Sequence, residues 1–210
     1  RIKNIDTSRA EQLEGVRSIV TAADFPSLND AVFNFGETMG NPRTISENCM
    51  ASAKALYRGH AIAAVAATSL HIAEEALGRI EVDYEILPPV LDVRKAMEHD
   101  APLVEENRTF GEEGRKRPSN IASAVQFKQG DIEQGLKDAD VVIEREYTTK
   151  PVHQGYIEPH NSTASWSADG NMTIWTSTQG TFVVRGQVAA ILGLATSNVK
   201  VIPMEIGGGF

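Results

Sequence analysis

Between residues 61 and 86 the spacing of apolar residues changes twice, and this confines the chain to folds that mix strands and helices. Residues 61–68 are an apolar run of small side chains, the composition of a buried strand. Ser69 then offers a helix cap. After it Leu70, Ala73, Ala76, Leu77 and Ile80 recur on one face of a 3.6-residue period, which predicts a helix to about Arg79. From Ile80 the pattern becomes alternating, with Val82, Tyr84 and Ile86 on one side, until Leu87-Pro88-Pro89 stops it. Strand, helix and strand in about 25 residues form an α/β unit.

The flanking chain extends this pattern. Residues 2–6 and 16–21 read as strands, with a short helix over 8–13 that Thr7 caps and Gly15 ends. Residues 26–48 are polar, contain Gly36, Gly40 and Pro42, and show no period, which predicts a long loop. Residues 92–99 predict a short helix. Residues 105–122, with Gly111, Gly114, Pro118 and the cluster Arg115-Lys116-Arg117, read as a linker, and the domain boundary is placed near residue 119. Beyond it, strands are expected over 123–129 and 140–149. They flank a short helix in which Asp131 and Gln134 have capping-box spacing. A hairpin comes next, turning at Ala168-Asp169-Gly170-Asn171. Then come Thr178-Gln179-Gly180, an apolar-faced helix over 181–192 with Gly193 as its stop, a strand from Val199, and Gly207-Gly208-Gly209-Phe210.

Composition excludes some functions. At 210 residues the chain can hold one large or two modest domains. A formal net charge of −8 disfavours nucleic acid as the main partner, although a local donor cluster could still hold a small anion. No run of eighteen apolar residues is present, so no membrane span is expected. Cys49 is alone, which rules out an intrachain disulfide or a cysteine metal cluster, and its small apolar surroundings predict a buried, inert thiol. The expected location is the cytoplasm.

Two turns can carry chemistry. Thr178-Gln179-Gly180 stands where a strand gives way to a helix, a place where backbone N–H groups favour an anion or an oxygen ligand. Gln179 adds an amide that donates and accepts. The glycines at 207–209 offer a second set of backbone donors after a strand, so the two turns could form opposite sides of one site. The same residues also read as plain turns. They lack the spacing of a dinucleotide fingerprint and have no phosphate-loop lysine. His153, Glu158 and His160 fit no zinc spacing, so no protein-ligated metal is assigned, and Glu158-Pro159 reads as a turn whose carboxylate bonds locally. No Gly-x-Ser-x-Gly elbow occurs, and no carboxylate pair can be assigned as acid and base.

The segment Tyr57-Arg58-Gly59-His60-Ala61-Ile62, the helix after it, and Val82-Asp83-Tyr84-Glu85-Ile86-Leu87-Pro88-Pro89 together resemble the α/β hammerhead domain of the xanthine dehydrogenase and aldehyde oxidase family. Four later segments resemble, in order, the start of that family's molybdenum-cofactor-binding domain. They are Phe127-Lys128-Gln129-Gly130-Asp131, His153-Gln154-Gly155-Tyr156-Ile157-Glu158-Pro159, Ser177-Thr178-Gln179-Gly180 and Ile206-Gly207-Gly208-Gly209-Phe210. The resemblance implies an α+β fold, with a hammerhead domain lacking its first strand over 1–118 and a partial mixed α/β cofactor domain over 119–210.

The resemblance also implies a function. The chain would be a fragment of a molybdenum hydroxylase large subunit. The parent oxidoreductase would hydroxylate an aldehyde, an N-heterocycle or a related small substrate with oxygen from water, and pass electrons to iron–sulfur and flavin subunits or domains. Gln179 would hydrogen-bond an oxo group of the molybdenum centre, and Gly208, Gly209 and Phe210 would line the molybdopterin, in its cytosine dinucleotide form, through the backbone. The metal would be held by the pterin's sulfurs. The family's catalytic glutamate would fall beyond residue 210. The chain alone is therefore expected to be inactive and cofactor-free, and to self-associate through the apolar side of residues 182–192. Two rival readings stand beside this one: a non-catalytic subunit-assembly module and a small-anion-binding module.

Overall fold

The computed structural model describes residues 1–36, 38–111 and 116–208. They form two compact units, one made of residues 1–87 with 156–210 and the other of residues 88–155. The fold is α+β. The first part of the first unit runs β1 (Ile2–Asp6), α1 (Ser8–Glu11), β2 (Val16–Thr21), β3 (Phe33–Asn34), β4 (Met39–Gly40), α2 (Pro42–Cys49), β5 (Ala63–Ala67), α3 (Leu70–Leu77) and β6 (Glu81–Tyr84).

The expected strands pair antiparallel, β1 with β6 and β2 with β5. Strand β5 is half-buried rather than buried, its side chains alternating between covered and exposed. Ser69 caps α3, its Oγ accepting from the Ile72 N–H at 3.3 Å, and the helix stops at Leu77, before Gly78.

The expected loop over 26–48 is corrected. It contains the β3–β4 pair and the helix α2. Asn41 Oδ1 accepts from the N–H groups of Arg43 (3.0 Å) and Thr44 (3.4 Å), and Pro42 takes the first helical position, where its missing N–H costs nothing. Cys49, in the last turn, is exposed and not buried. Partial burial still pushes its thiol above the usual value, so the thiol stays protonated.

The second unit contains α4 (Val93–Ala96), β7 (Thr109–Phe110), β8 (Arg117–Pro118) and α5 (Ile132–Asp138). Asp92 caps α4 and Asp131 caps α5. The expected linker folds back on itself. Strands β7 and β8 pair antiparallel, and Asn120 clips the chain together. Its Oδ1 accepts from the Val104 N–H at 2.8 Å, and its Nδ2 donates to the carbonyls of Ala96 and Pro102, each at 3.0 Å. Gly114 and Arg115 lie outside the described residues. Residues 123–129 and 140–149, expected as strands, join no ladder among the described residues, and Phe127 is 91% exposed. Alternation gives a segment two faces, but a strand also needs a neighbour to accept its hydrogen bonds.

The first unit resumes with β9 (Ser162–Trp166), β10 (Met172–Ser177), α6 (Thr181–Leu192) and β11 (Val199–Met204). Strand β9 turns antiparallel onto β10, and β11 returns parallel to β10 on its other side, so α6 is the crossover of a βαβ unit. Gly193, at φ +66°, ends α6. Its N–H donates to the Ala190 carbonyl and the Leu194 N–H to the Ala189 carbonyl, the two bonds of a Schellman stop. Ile174, Ala189 and Val199 are buried together, with Met172, Val188, Leu194 and Val201 packed around them. The expected bare face of residues 182–192 is thus corrected. Helix α6 lies on β11 and α2, with Ala189 and Ile191 buried, while Phe182 stands 75% exposed.

One buried polar side chain ties the α2–β5 connection. His60 is 6% exposed and stacks on Tyr57, with ring centroids 4.5 Å apart. Its Nδ1 accepts from the Leu56 N–H at 3.2 Å, which leaves the proton on Nε2, 2.9 Å from the Glu47 carbonyl oxygen. His60→Phe keeps the stack but strands both backbone groups. It should lower the unfolding free energy by roughly 1–3 kcal/mol, measurable by urea titration.

Candidate functional site

The topology of the three-stranded sheet brings three segments to one edge. Ser177 ends β10 directly beside Met204, which ends β11, because the two strands are parallel and in register there. The turn at 178–180 and the turn at 205–208 therefore leave the sheet side by side. Strand β9 is antiparallel, with Ser162 opposite Thr176, so the segment before it arrives at the same edge. Open sheets with parallel strands bind ligands at the carboxyl ends of those strands, where backbone groups leave the ladder.

A cavity of about 310 Å³ occupies this edge, lined by Tyr156, Glu158, His160, Ser177, Thr178, Gln179, Ile206, Gly207 and Gly208. Gln179 and Gly208, named from sequence, share it. Gly209 and Phe210 lie outside the described residues. Gly180 stands at the N-cap of α6, and its N–H donates to Thr178 Oγ1 at 3.0 Å, so the 178–180 turn is closed by its own hydroxyl.

The neighbouring glycines serve different purposes. Gly208 adopts φ +144°, which L side chains rarely reach. Gly207 meets a steric limit instead. A Cβ placed there would overlap the side chain of Glu158, lying 2.8 Å from Oε2 and 3.2 Å from Cγ.

Glu158 was expected to bond locally. Instead its Oε2 accepts from the Gly207 N–H at 2.5 Å, across 49 positions of sequence. The Ser177 hydroxyl first, then the Gly207 N–H and the nearby His160, hold its carboxyl below the usual carboxylate range. Tyr156 leans on His160, with ring centroids 5.4 Å apart and the phenol oxygen 3.4 Å from Nε2. Tyr156 and Ser177 belong to segments that carry the family resemblance but are not named there as site residues, and nothing local in the sequence signals the long reach of Glu158. Among the described residues, no three metal-ligating side chains cluster, and no helix is long and apolar enough to cross a membrane. The cavity offers a carboxamide, hydroxyls, a carboxylate, aromatic edges and glycine backbone to a ligand. This set suits a polar heterocycle.

Sequence comparison divides the chain in two. Residues 1–88 match the family model for the aldehyde oxidase and xanthine dehydrogenase a/b hammerhead domain. Residues 114–210 match the model for the molybdopterin cofactor-binding domain. The carbon monoxide dehydrogenase large chain of Afipia carboxidovorans is 35% identical over 218 residues, a match that covers 100% of this chain and 26% of that protein. The nicotinate dehydrogenase large molybdopterin subunit of Eubacterium barkeri is 30% identical over 210 residues, covering 100% of this chain and 45% of that one. The chain thus spans less than half the length of these relatives. Among solved structures, a Cu,Mo carbon monoxide dehydrogenase in its carbon monoxide reduced state superposes with a TM-score of 0.77 at 32% identity, over 100% of this chain and 26% of that one.

The titration of Glu158 checks the site's geometry. A carboxylate made more acidic by folding stabilises the fold in full above its unfolded pKa, and this contribution is lost as pH falls through the lowered folded value. Glu158→Gln removes that dependence. The difference in unfolding free energy between wild type and E158Q should be largest at neutral pH and close in acid, as read from urea titrations across that range.

Proposed function

We propose, because this chain belongs to the aldehyde oxidase and xanthine dehydrogenase family, that it is part of a molybdenum hydroxylase and forms one wall of that enzyme's cofactor site. The observation that carries the reading is the cavity where Gln179 and Gly208 stand on turns leaving two parallel, adjacent strands. The residues fit a pterin that brings its own metal. Amide, hydroxyl and backbone groups can bond a polar ring, and the room beside Gly207 is already filled by Glu158.

When bound, the cofactor supplies the oxidative hydroxylation of a small organic substrate, with oxygen from water, and the protein supplies binding and orientation. Gln179 presents a carboxamide to the cavity that would donate to the cofactor and orient it. The backbone of Gly208 would hold the pterin, and the resemblance assigns the same role to Gly209 and Phe210. We assign the cytosine dinucleotide form of the pterin, an aldehyde or N-heterocycle as substrate class, iron–sulfur and flavin subunits or domains as electron acceptors, and a cytoplasmic location. We place the domain boundary near residue 118; the two family matches, over 1–88 and 114–210, divide the chain between residues 88 and 114. Family membership favours this reading over an assembly module or a small-anion binder.

Two measurements test it. Metal analysis of the intact gene product, made in a host able to build the cofactor, should find close to one molybdenum per chain, and the isolated 210-residue chain should hold none. A well-folded intact protein without molybdenum would reduce the likeness to one of fold. Gln179→Ala in the intact protein should lower kcat by about 100- to 1000-fold, the loss typical of one preorganised catalytic hydrogen bond. Turnover unchanged at full molybdenum content would favour the assembly module.

A further inference from the structure

We infer that Glu158 is a positioning residue of this site: its carboxylate fixes the glycine turn at 206–208 against the end of β10 and so sets where the Gly208 backbone meets the cofactor. The inference rests on the cofactor-site reading above.

Three observations carry it. The first is the hydrogen bond from the Gly207 N–H to Glu158 Oε2, at 2.5 Å, which joins segments 49 residues apart. The second is that Ser177, the last residue of β10, lines the same cavity edge as this carboxylate and is the first influence holding it below the usual carboxylate range. One side chain therefore stands between the end of β10 and the chain just beyond β11. The third is steric. Gly207 is absent from the glycines with positive φ, so its backbone does not demand glycine, whereas the space taken by Glu158 does. Donor and acceptor fit against each other with no room for a methyl group. Pro159 disfavours a helical backbone at Glu158. A carboxylate fixed by a backbone donor and held below its usual range suits a brace better than a proton carrier.

The test uses the intact protein from a cofactor-building host, with Glu158→Ala, Glu158→Gln and Gly207→Ala beside wild type. Three quantities are read: molybdenum retained per chain after gel filtration, hydrogen exchange at the Gly207 amide, and the melting temperature. Glu158→Ala should weaken cofactor retention and speed exchange at Gly207, each by about tenfold or more, the loss expected for a hydrogen bond to a charged acceptor. Glu158→Gln keeps an acceptor in place and should restore most of both. Gly207→Ala, with Glu158 intact, should lose retention as Glu158→Ala does.

Wild-type retention and Gly207 protection in Glu158→Ala would overturn the inference and leave the cofactor site standing. So would a loss of protection spread evenly over the whole sheet with a matching fall in melting temperature, which would mark a general packing role. Wild-type protein without molybdenum would overturn the cofactor reading, and this inference with it.

Discussion

The site depends on the parallel ladder between β10 and β11. Parallel strands cannot be joined by a tight turn, so the chain must leave Ser177, cross the sheet and return at Val199. Helix α6 makes that crossing, and its length and its Gly193 stop are fitted to it. Once the two strands pair, both of their exits lie on one edge, and the cavity is bounded by two turns that are distant in sequence. The buried cluster of Ile174, Ala189 and Val199 holds the helix and both strands together, so packing energy and site geometry share the same residues.

The features legible in the sequence are those that local chemistry decides. Ser69 caps α3, Asp92 and Asp131 cap α4 and α5, Gly193 stops α6, and the Asp169-Gly170 turn makes the β9–β10 hairpin, because each depends on neighbours within a few residues. Helix α2 escapes a reading by periodicity because it is short and mostly polar: Asn41-Pro42 announces a start, but few apolar residues mark its covered side. The strands expected at 123–129 and 140–149 rest on local pattern, alternation in the second case, and they join no ladder among the described residues. At the site, Gln179 and Gly208 can be named from the turns that hold them. Glu158 cannot be linked to Gly207 in this way, since nothing local at residue 158 points across 49 positions.

Charge at the cavity is placed rather than spread. The chain carries a formal −8, and the Glu158 carboxylate that lines this cavity accepts from the Gly207 backbone N–H. That bond directs the charge at the glycine turn, and the carboxyl, held below the usual carboxylate range, stays ionised at neutral pH.

The β10–β11 ladder also acts as a ruler. Met172 and Ile174 on β10 and Val199 and Val201 on β11 pack against the same core, while Lys200 lies between the two valines on the opposite side of its strand. A slip of one residue would turn Lys200 into the core and the valines out of it, so the hydrophobic pattern admits one alignment. The same slip would slide the glycine turn by about 3.3 Å relative to Gln179. Greasy side chains that never face the cavity thus calibrate the spacing of the groups that do, and a change in the core would register at the site as an error of distance.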